Sequence, residues 1–256
     1  MNTFANWEGT GLSHLGQARR LNEDSFAVLN HAGLWIVADG MGGHVGGEVA
    51  SRLAVETITN FLEARLPHLE PSSSEQEGLL AASIQAGQQV ILNAAETEPT
   101  LRGMGTTVVL LHISSGPTPR CWLLHVGDSR AYLLRDECVR QLSVDHSLME
   151  RYLREGLIAP EDVIGHPKRH VLTRALGTGR ARPDILVEGL DPGDQLLLCT
   201  DGLTTMLDNA QIADIWRSMR VSPRSACQAL VAEANARGGL DNITVIVVAQ
   251  RPAAVA

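Results

Sequence analysis

Lysine is almost absent from this chain. Lys168 is the only one, and the remaining 20 of its 21 basic residues are arginine. A phosphate-cradling P-loop needs glycines followed by lysine and a hydroxyl residue. The one lysine stands between Pro167 and Arg169, so that chemistry is excluded. Cysteine is scarce as well. Cys121, Cys138, Cys199 and Cys227 never fall in a CxxC spacing, which excludes a zinc cluster or a dithiol redox motif. None is followed six positions later by arginine, as the nucleophile of a cysteine phosphatase would be, and no DxDxT-like aspartyl nucleophile occurs. Cys199 lies inside an apolar run and reads as a small hydrophobe. Runs of basic residues are missing and the net charge is −8, which argues against nucleic acid as a partner. No stretch approaches ~18–20 uninterrupted apolar residues, and no basic-then-apolar leader opens the chain. A cytoplasmic protein without a membrane segment is expected. The bias toward arginine suits phosphate oxygens, although genomic base composition explains it more simply.

What is present is enough apolar residue for one large core. With 256 residues and 44% hydrophobic content, a single domain over 1–256 is expected. Apolar runs at 26–29, 34–38, 107–113, 121–126, 131–134, 185–188, 195–199 and 243–248 read as strands. Helical spacing appears over 45–65 and over 75–96, the second introduced by a capping-box pattern at Ser74-Glu75-Gln76-Glu77. A third helix is expected from Ser147 to near Gly156, and two more over 208–219 and 223–237. The last has Ser222 as N-cap, Pro223 in its first position and Gly238-Gly239 at its end. Helices paired between blocks of strands favour antiparallel sheet covered by helices over a doubly wound parallel fold. Residues 251–256 read as a frayed tail.

Four aspartates lie where apolar runs end or begin: Asp39, Asp128, Asp201 and Asp241. Carboxylates fixed at the ends of buried strands are poorly solvated, and several brought together would repel unless cations lay between them. Hard divalent metals held by oxygen ligands resolve this most simply. Turn chemistry is the plainer account, since Asp-Gly and Asp-Asn favour turns. The plainer account of Asp128 is that it caps its strand turn or pairs with Arg130.

Seven motifs then occur in order along nearly the whole chain: Arg19-Arg20-Leu21-Asn22-Glu23-Asp24, Asp39-Gly40-Met41-Gly42-Gly43-His44, Gly103-Met104-Gly105-Thr106-Thr107, Val126-Gly127-Asp128-Ser129-Arg130, Leu172-Thr173-Arg174-Ala175-Leu176-Gly177, Thr200-Asp201-Gly202-Leu203 and Gly239-Leu240-Asp241-Asn242-Ile243-Thr244. Any one is weak. Together they resemble the bacterial form of the metal-dependent (type 2C, PPM) serine/threonine protein phosphatases. The resemblance implies an α+β fold, a four-layer αββα sandwich of two antiparallel sheets flanked by helix pairs. It implies two tightly bound Mn²⁺ or Mg²⁺ ions, with room for a third.

By position, Asp39 would bridge the metals and the Gly40 carbonyl would add a ligand. Asp201 and Asp241 would bind the other side, with Glu23 and Asp24 nearby, partly through water. Asp128 with Asp201 matches the third site. Arg19 matches the residue that grips the substrate phosphate, with Arg20 beside it as a competitor. His44 matches a proposed proton donor, although the preceding Gly-Gly changes its reach. His166 and His170 read as loop residues. Residues 146–171 resemble a mobile flap beside the active site that selects phosphoproteins. Phosphorylated proteins and a cognate serine/threonine kinase are the implied partners, and a monomer is expected. Two other readings stay open: a non-catalytic binding module of the same fold, and a hydrolase of small phosphate or nucleotide esters.

Overall fold

The computed structural model describes residues 7–42, 46–68, 73–114, 119–163, 165–179, 181–219 and 222–251. Its strands are β1 Trp7–His14, β2 Asp24–Leu29, β3 Leu34–Met41, β4 Gly105–Thr106, β5 Val108–Ile113, β6 Arg120–Val126, β7 Arg130–Arg135, β8 Cys138–Gln141, β9 Asp184–Gly189, β10 Gln195–Cys199 and β11 Ile243–Gln250. The helices are α1 Gly46–Glu63, α2 Ser73–Thr97, α3 Leu148–Arg154, α4 Asp201–Thr204, α5 Asn209–Ser218 and α6 Pro223–Ala236. One sheet runs β1-β11-β10-β7-β8 and the other β2-β3-β5-β6-β9, with β4 paired to β3. Every pairing is antiparallel.

Alternation along each strand explains the layering. On β3, Leu34, Ile36 and Ala38 join a core shared with α1 and α2, while Trp35 and Val37 face the second sheet. On β11, Ile243, Val245 and Val247 pack with α5 and α6, while Ile246 and Val248 meet the first sheet. Successive strand residues point to opposite faces. Both faces are covered here, so these strands read as unbroken apolar runs rather than alternating ones. Three stacked cores result: helix on sheet, sheet on sheet, and sheet on helix. Each fully buried Leu, Ile or Val contributes about 1.5–3 kcal/mol.

Three strands and one helix escape the apolar-run signal, the two-residue β4 among them. β1 carries Gly9 and Gly11, because a Cβ at those positions would overlap the Trp35 and Phe26 rings. The short edge strand β8 follows a turn in which Asp136 and Glu137 take positive φ. The four-residue α4 starts at Asp201 itself. Two expectations need correction. Helix α2 begins at Ser73, so Ser74 lies inside its first turn rather than ahead of it. Arg251 is not frayed: its Nε donates to Glu8 Oε2 at 2.8 Å. The rest of the expected tail, 252–256, lies outside the described residues. Ser147 and Ser222 do cap α3 and α6, accepting from Glu150 N and Ser225 N.

Candidate active site

The strand ends converge at one end of the sandwich. Asp39 sits near the end of β3, and its backbone is held on both sides by Thr107. Asp39 N donates to Thr107 Oγ1 (2.9 Å), and Thr107 N donates to Asp39 O (2.8 Å). Thr107 Oγ1 also meets Ser129 Oγ at 2.7 Å, beside Asp128. Gly40 N donates to Glu23 O (3.0 Å). A side chain on Gly40 would overlap the Gly47 and Glu23 carbonyls, so glycine alone lets α1 start this close to β3. The Glu23 carboxylate accepts the Gly47 N–H at the start of α1, where a helix favours negative charge.

The other sheet contributes Asp201, at the start of α4, and Asp241, just before β11. Asn242 ties these loops together. Its Oδ1 accepts from Glu23 N (2.8 Å), and its Nδ2 donates to Leu15 O (2.9 Å) and Leu21 O (3.0 Å). Its backbone N donates to Asp241 Oδ1 at 2.8 Å. Asp24 fastens the two sheets: its Oδ2 accepts from Thr200 Oγ1 (2.9 Å) and Thr244 Oγ1 (2.6 Å). A Cβ on Gly202 would overlap the Asn242 carbonyl, which is backbone and cannot step aside. Gly202→Ala is therefore expected to cost about 1–3 kcal/mol of stability, read as a lowered urea midpoint with an unchanged slope.

Glu23, Asp39, Asp128, Asp201 and Asp241 line one open cleft of about 600 Å³, with Arg19, Arg20, Gly40 and Thr107. Arg19 is directed by a 2.6 Å contact from its Nη2 to Asp241 Oδ2. Asp24 does not line the cleft; it lies behind it, against the two threonines. His44 lies outside the described residues. His170, read from sequence as a loop residue, lines the cleft. Asp128 does not pair with Arg130 as the plainer reading allowed. Arg130 forks onto Asp145 instead, at 2.7–3.1 Å. Thr107, Thr200 and Thr244 carry no charge, and Asn242 reads as half of an Asp-Asn turn signal, so sequence reasoning gave none of them a role.

Burial is the first cause of an unusual electrostatic state. It raises the carboxyl of Asp39 well above the ordinary range, with the neighbouring charge of Asp201 adding to it. Burial likewise raises Asp24 to about 7, Asp128 to about 8, and Asp201 and Glu23 above their usual values. Asp39 and Asp201 are close enough to share a proton. Asp24 Oδ1 and Asp201 Oδ1 are buried with no hydrogen-bond partner among the described residues. An all-oxygen set of buried, mutually repelling carboxylates, two of whose oxygens lack any partner among the described residues, suits a hard divalent cation, so these residues fit the metals that the sequence resemblance implies.

The sign of the pH dependence follows. A carboxyl whose folded pKa is raised favours the folded state while protonated. That contribution is complete below its ordinary pKa, about 4, and is lost as pH rises through the folded values of about 7 for Asp24 and about 8 for Asp128. Metal binding needs the ionised forms and releases their protons. The rise in Tm on adding Mn²⁺ should therefore grow as pH climbs through this window. Thermal melts with Mn²⁺ and with EDTA from pH 5 to about 8.5 check this; a metal-induced shift independent of pH would contradict it.

Comparison with known proteins agrees with this geometry. The protein phosphatase 2C family pattern matches residues 10–234. The chain is 40% identical over 237 residues to a serine/threonine phosphatase, stp, of Listeria innocua, covering 91% of this chain and 92% of that protein. The crystal structure of the Mycobacterium tuberculosis serine/threonine phosphatase PstP/Ppp matches with a TM-score of 0.84 at 33% identity, covering 96% of this chain and all of that one. A PstP catalytic domain in complex with two manganese ions matches with a TM-score of 0.83 at 32% identity, covering 96% of this chain and 99% of that one. Coverage of this extent and converging carboxylates in one cleft establish that the chain belongs to the protein phosphatase 2C family of metal-dependent serine/threonine phosphatases.

Proposed function

We infer that this chain hydrolyses phosphoserine and phosphothreonine esters on proteins, using two divalent ions held by Asp39, Asp201, Asp241 and the Gly40 carbonyl. The observation that carries this reading is the cluster of buried, mutually repelling carboxylates beside Arg19 in an open cleft. When bound, the ions supply a water ionised near neutral pH and neutralise charge on the phosphoryl oxygens. Mn²⁺ and Mg²⁺ both suit the oxygen donors, and Mn²⁺ is favoured by the PstP structure that contains it. Asp128 and Asp201 would hold a third ion.

The protein's own groups supply the rest. Arg19 grips two phosphate oxygens with its planar fork, aimed by Asp241. Glu23, at the start of α1, and the buried Asp24 orient water and ligands from behind. His44 is assigned the proton that the leaving alkoxide needs. The nucleophile is water, so no phosphoryl-enzyme forms. Substrates are phosphorylated proteins, the opposing enzyme is a serine/threonine kinase, and the active species is a cytoplasmic monomer. Among the described residues no helix is long and apolar enough to cross a membrane. Turnover of a phosphothreonine peptide against a nucleoside monophosphate, both with Mn²⁺, tests the substrate class. The peptide should win by at least about tenfold in kcat/KM; preference for the nucleotide would contradict the reading.

The flap proposed over 146–171 has a physical basis for selecting substrates. Residues of this segment wall a second cavity of about 500 Å³, contiguous with the cleft through Asp128, His170 and Asp201. Its apolar wall includes Met149, Leu153 and Met206. Leu153→Glu should weaken kcat/KM about tenfold for peptides with an apolar residue near the phosphothreonine, leaving 4-nitrophenyl phosphate turnover unchanged. Equal effects on both substrates would refute a selecting role.

A further inference from the structure

Among the described residues, one cluster outside the cleft has the spacing of metal ligands: His125, His146 and Asp184. Its hydrogen bonds decide against a metal. Gly127 N–H donates to His146 Nδ1 at 3.1 Å. An imidazole nitrogen that accepts must be unprotonated, so the single proton of the neutral ring lies on Nε2. That nitrogen is 3.1 Å from Asp184 Oδ2 and donates to it. Arg174 Nη1 lies 3.1 Å from the same Nε2 and also donates to Asp184, so two donors meet over one carboxylate. A metal on Nε2 would have to displace both its proton and the arginine.

The same bonds point to a different role. His146 N donates to Gly127 O at 2.8 Å, so both backbone groups of Gly127 are held by this one residue. Thr173 N donates to His146 O at 2.7 Å, and Ser147 bridges to Leu172, which lines the cleft. The His125 ring stacks on His146 with centroids 4.4 Å apart, and His125 Nε2 donates to Val144 O at 2.8 Å. Gly127 has φ +111° and lies so close to Thr107 that a side chain would overlap it. Thr107 in turn holds the backbone of Asp39. One histidine thus holds the turn that presents Asp128 and the segment at Leu172–Thr173 that follows the flap, and that turn packs directly against Thr107, which holds the backbone of Asp39.

We propose that His146 is a positioning residue for the metal centre, a neutral imidazole whose Nδ1 clamps the Gly127–Asp128 turn while Asp184 fixes its tautomer. The inference rests on the metallophosphatase reading above. Partners of this kind typically change metal affinity 10–100-fold when removed. Burial holds His146 down at about 4, so it stays neutral at working pH.

Two near-isosteric variants separate the two ring nitrogens. His146→Asn keeps an acceptor where Nδ1 lies, and His146→Gln keeps a polar group where Nε2 lies. Mn²⁺ binding to each folded protein is measured by titration calorimetry, with the Mn²⁺ half-saturation and KM for 4-nitrophenyl phosphate as kinetic readouts. The expected result is Mn²⁺ affinity within about threefold of wild type for Asn and at least about tenfold weaker for Gln, with KM at saturating Mn²⁺ unchanged. Equal affinities, or Gln binding better than Asn, would overturn the proposal. His146→Ala should resemble Gln or be worse. Wild-type protein that binds no Mn²⁺ would contradict the metallophosphatase reading and this proposal with it. Tight wild-type binding with indistinguishable variants would contradict this proposal alone.

Discussion

Asp39→Asn should move activity and stability in opposite directions. Turnover of a phosphothreonine peptide should fall on the order of 10³-fold, because a carboxylate that would hold the cations is lost and with it the charge that retains them. The metal-free protein should become more stable, by about 1 kcal/mol or a few degrees in Tm at pH 8. Asp39 is buried against Asp201, and burial and that neighbouring charge both disfavour its ionised form. An amide of the same shape removes the repulsion and can donate to Asp201. A turn aspartate would behave differently: its replacement would lower stability modestly and leave turnover intact. Kinetics with Mn²⁺ and thermal melts in EDTA, on the same two proteins, give both signs. A variant that is active, or one that is less stable without metal, would contradict the assignment.

Asn242→Ala carries the next largest effect. Its side chain is buried at 4% exposure and makes three hydrogen bonds, to Glu23 N, Leu15 O and Leu21 O. Alanine strands one backbone donor and two carbonyls in a half-buried loop, at about 1 kcal/mol or more for each. Roughly 3 kcal/mol of lost stability is expected, measured by urea unfolding. Activity should also fall at saturating Mn²⁺, since Asn242 joins the Glu23 loop to Asp241, and Asp241 directs Arg19. A loss below about 1 kcal/mol would show that these loops are held by other contacts. Asn242→Asp should not rescue, because a carboxylate cannot donate to the two carbonyls.

Most strands were legible as unbroken apolar runs bounded by turn signals, and the long helices by the spacing of their apolar residues. So were the acidic cleft residues, because charge at the end of an apolar run is conspicuous. What stayed hidden has a common cause. β1 pairs along its whole length with β11, but its glycines, required by the Trp35 and Phe26 rings, remove the strand signal. Asn242 reads as a turn residue because its partners lie about 220 residues away in sequence. Thr200 and Thr244 read as ordinary strand-end residues, yet they meet over Asp24 from a different sheet. His146 looks like part of a charged loop, although its bonds reach Gly127, Thr173 and Asp184. Uncharged residues that act through long-range hydrogen bonds leave no local pattern to read. The Asp128–Arg130 pairing failed for a related reason: Asp128 is buried toward Asp201 in the cleft, while Arg130 forks onto Asp145, a partner 15 residues away.

The central claim is that clustered carboxylates make this cleft a metal-dependent phosphatase centre. Its most direct test is phosphate release from a phosphothreonine peptide as Mn²⁺ is titrated in, then withdrawn with EDTA, beside the Asp201→Asn variant. Turnover should appear only with Mn²⁺, disappear with EDTA, return when Mn²⁺ is restored, and collapse in the variant. Turnover that persists in EDTA, or a folded wild-type protein that Mn²⁺ fails to activate, would contradict it.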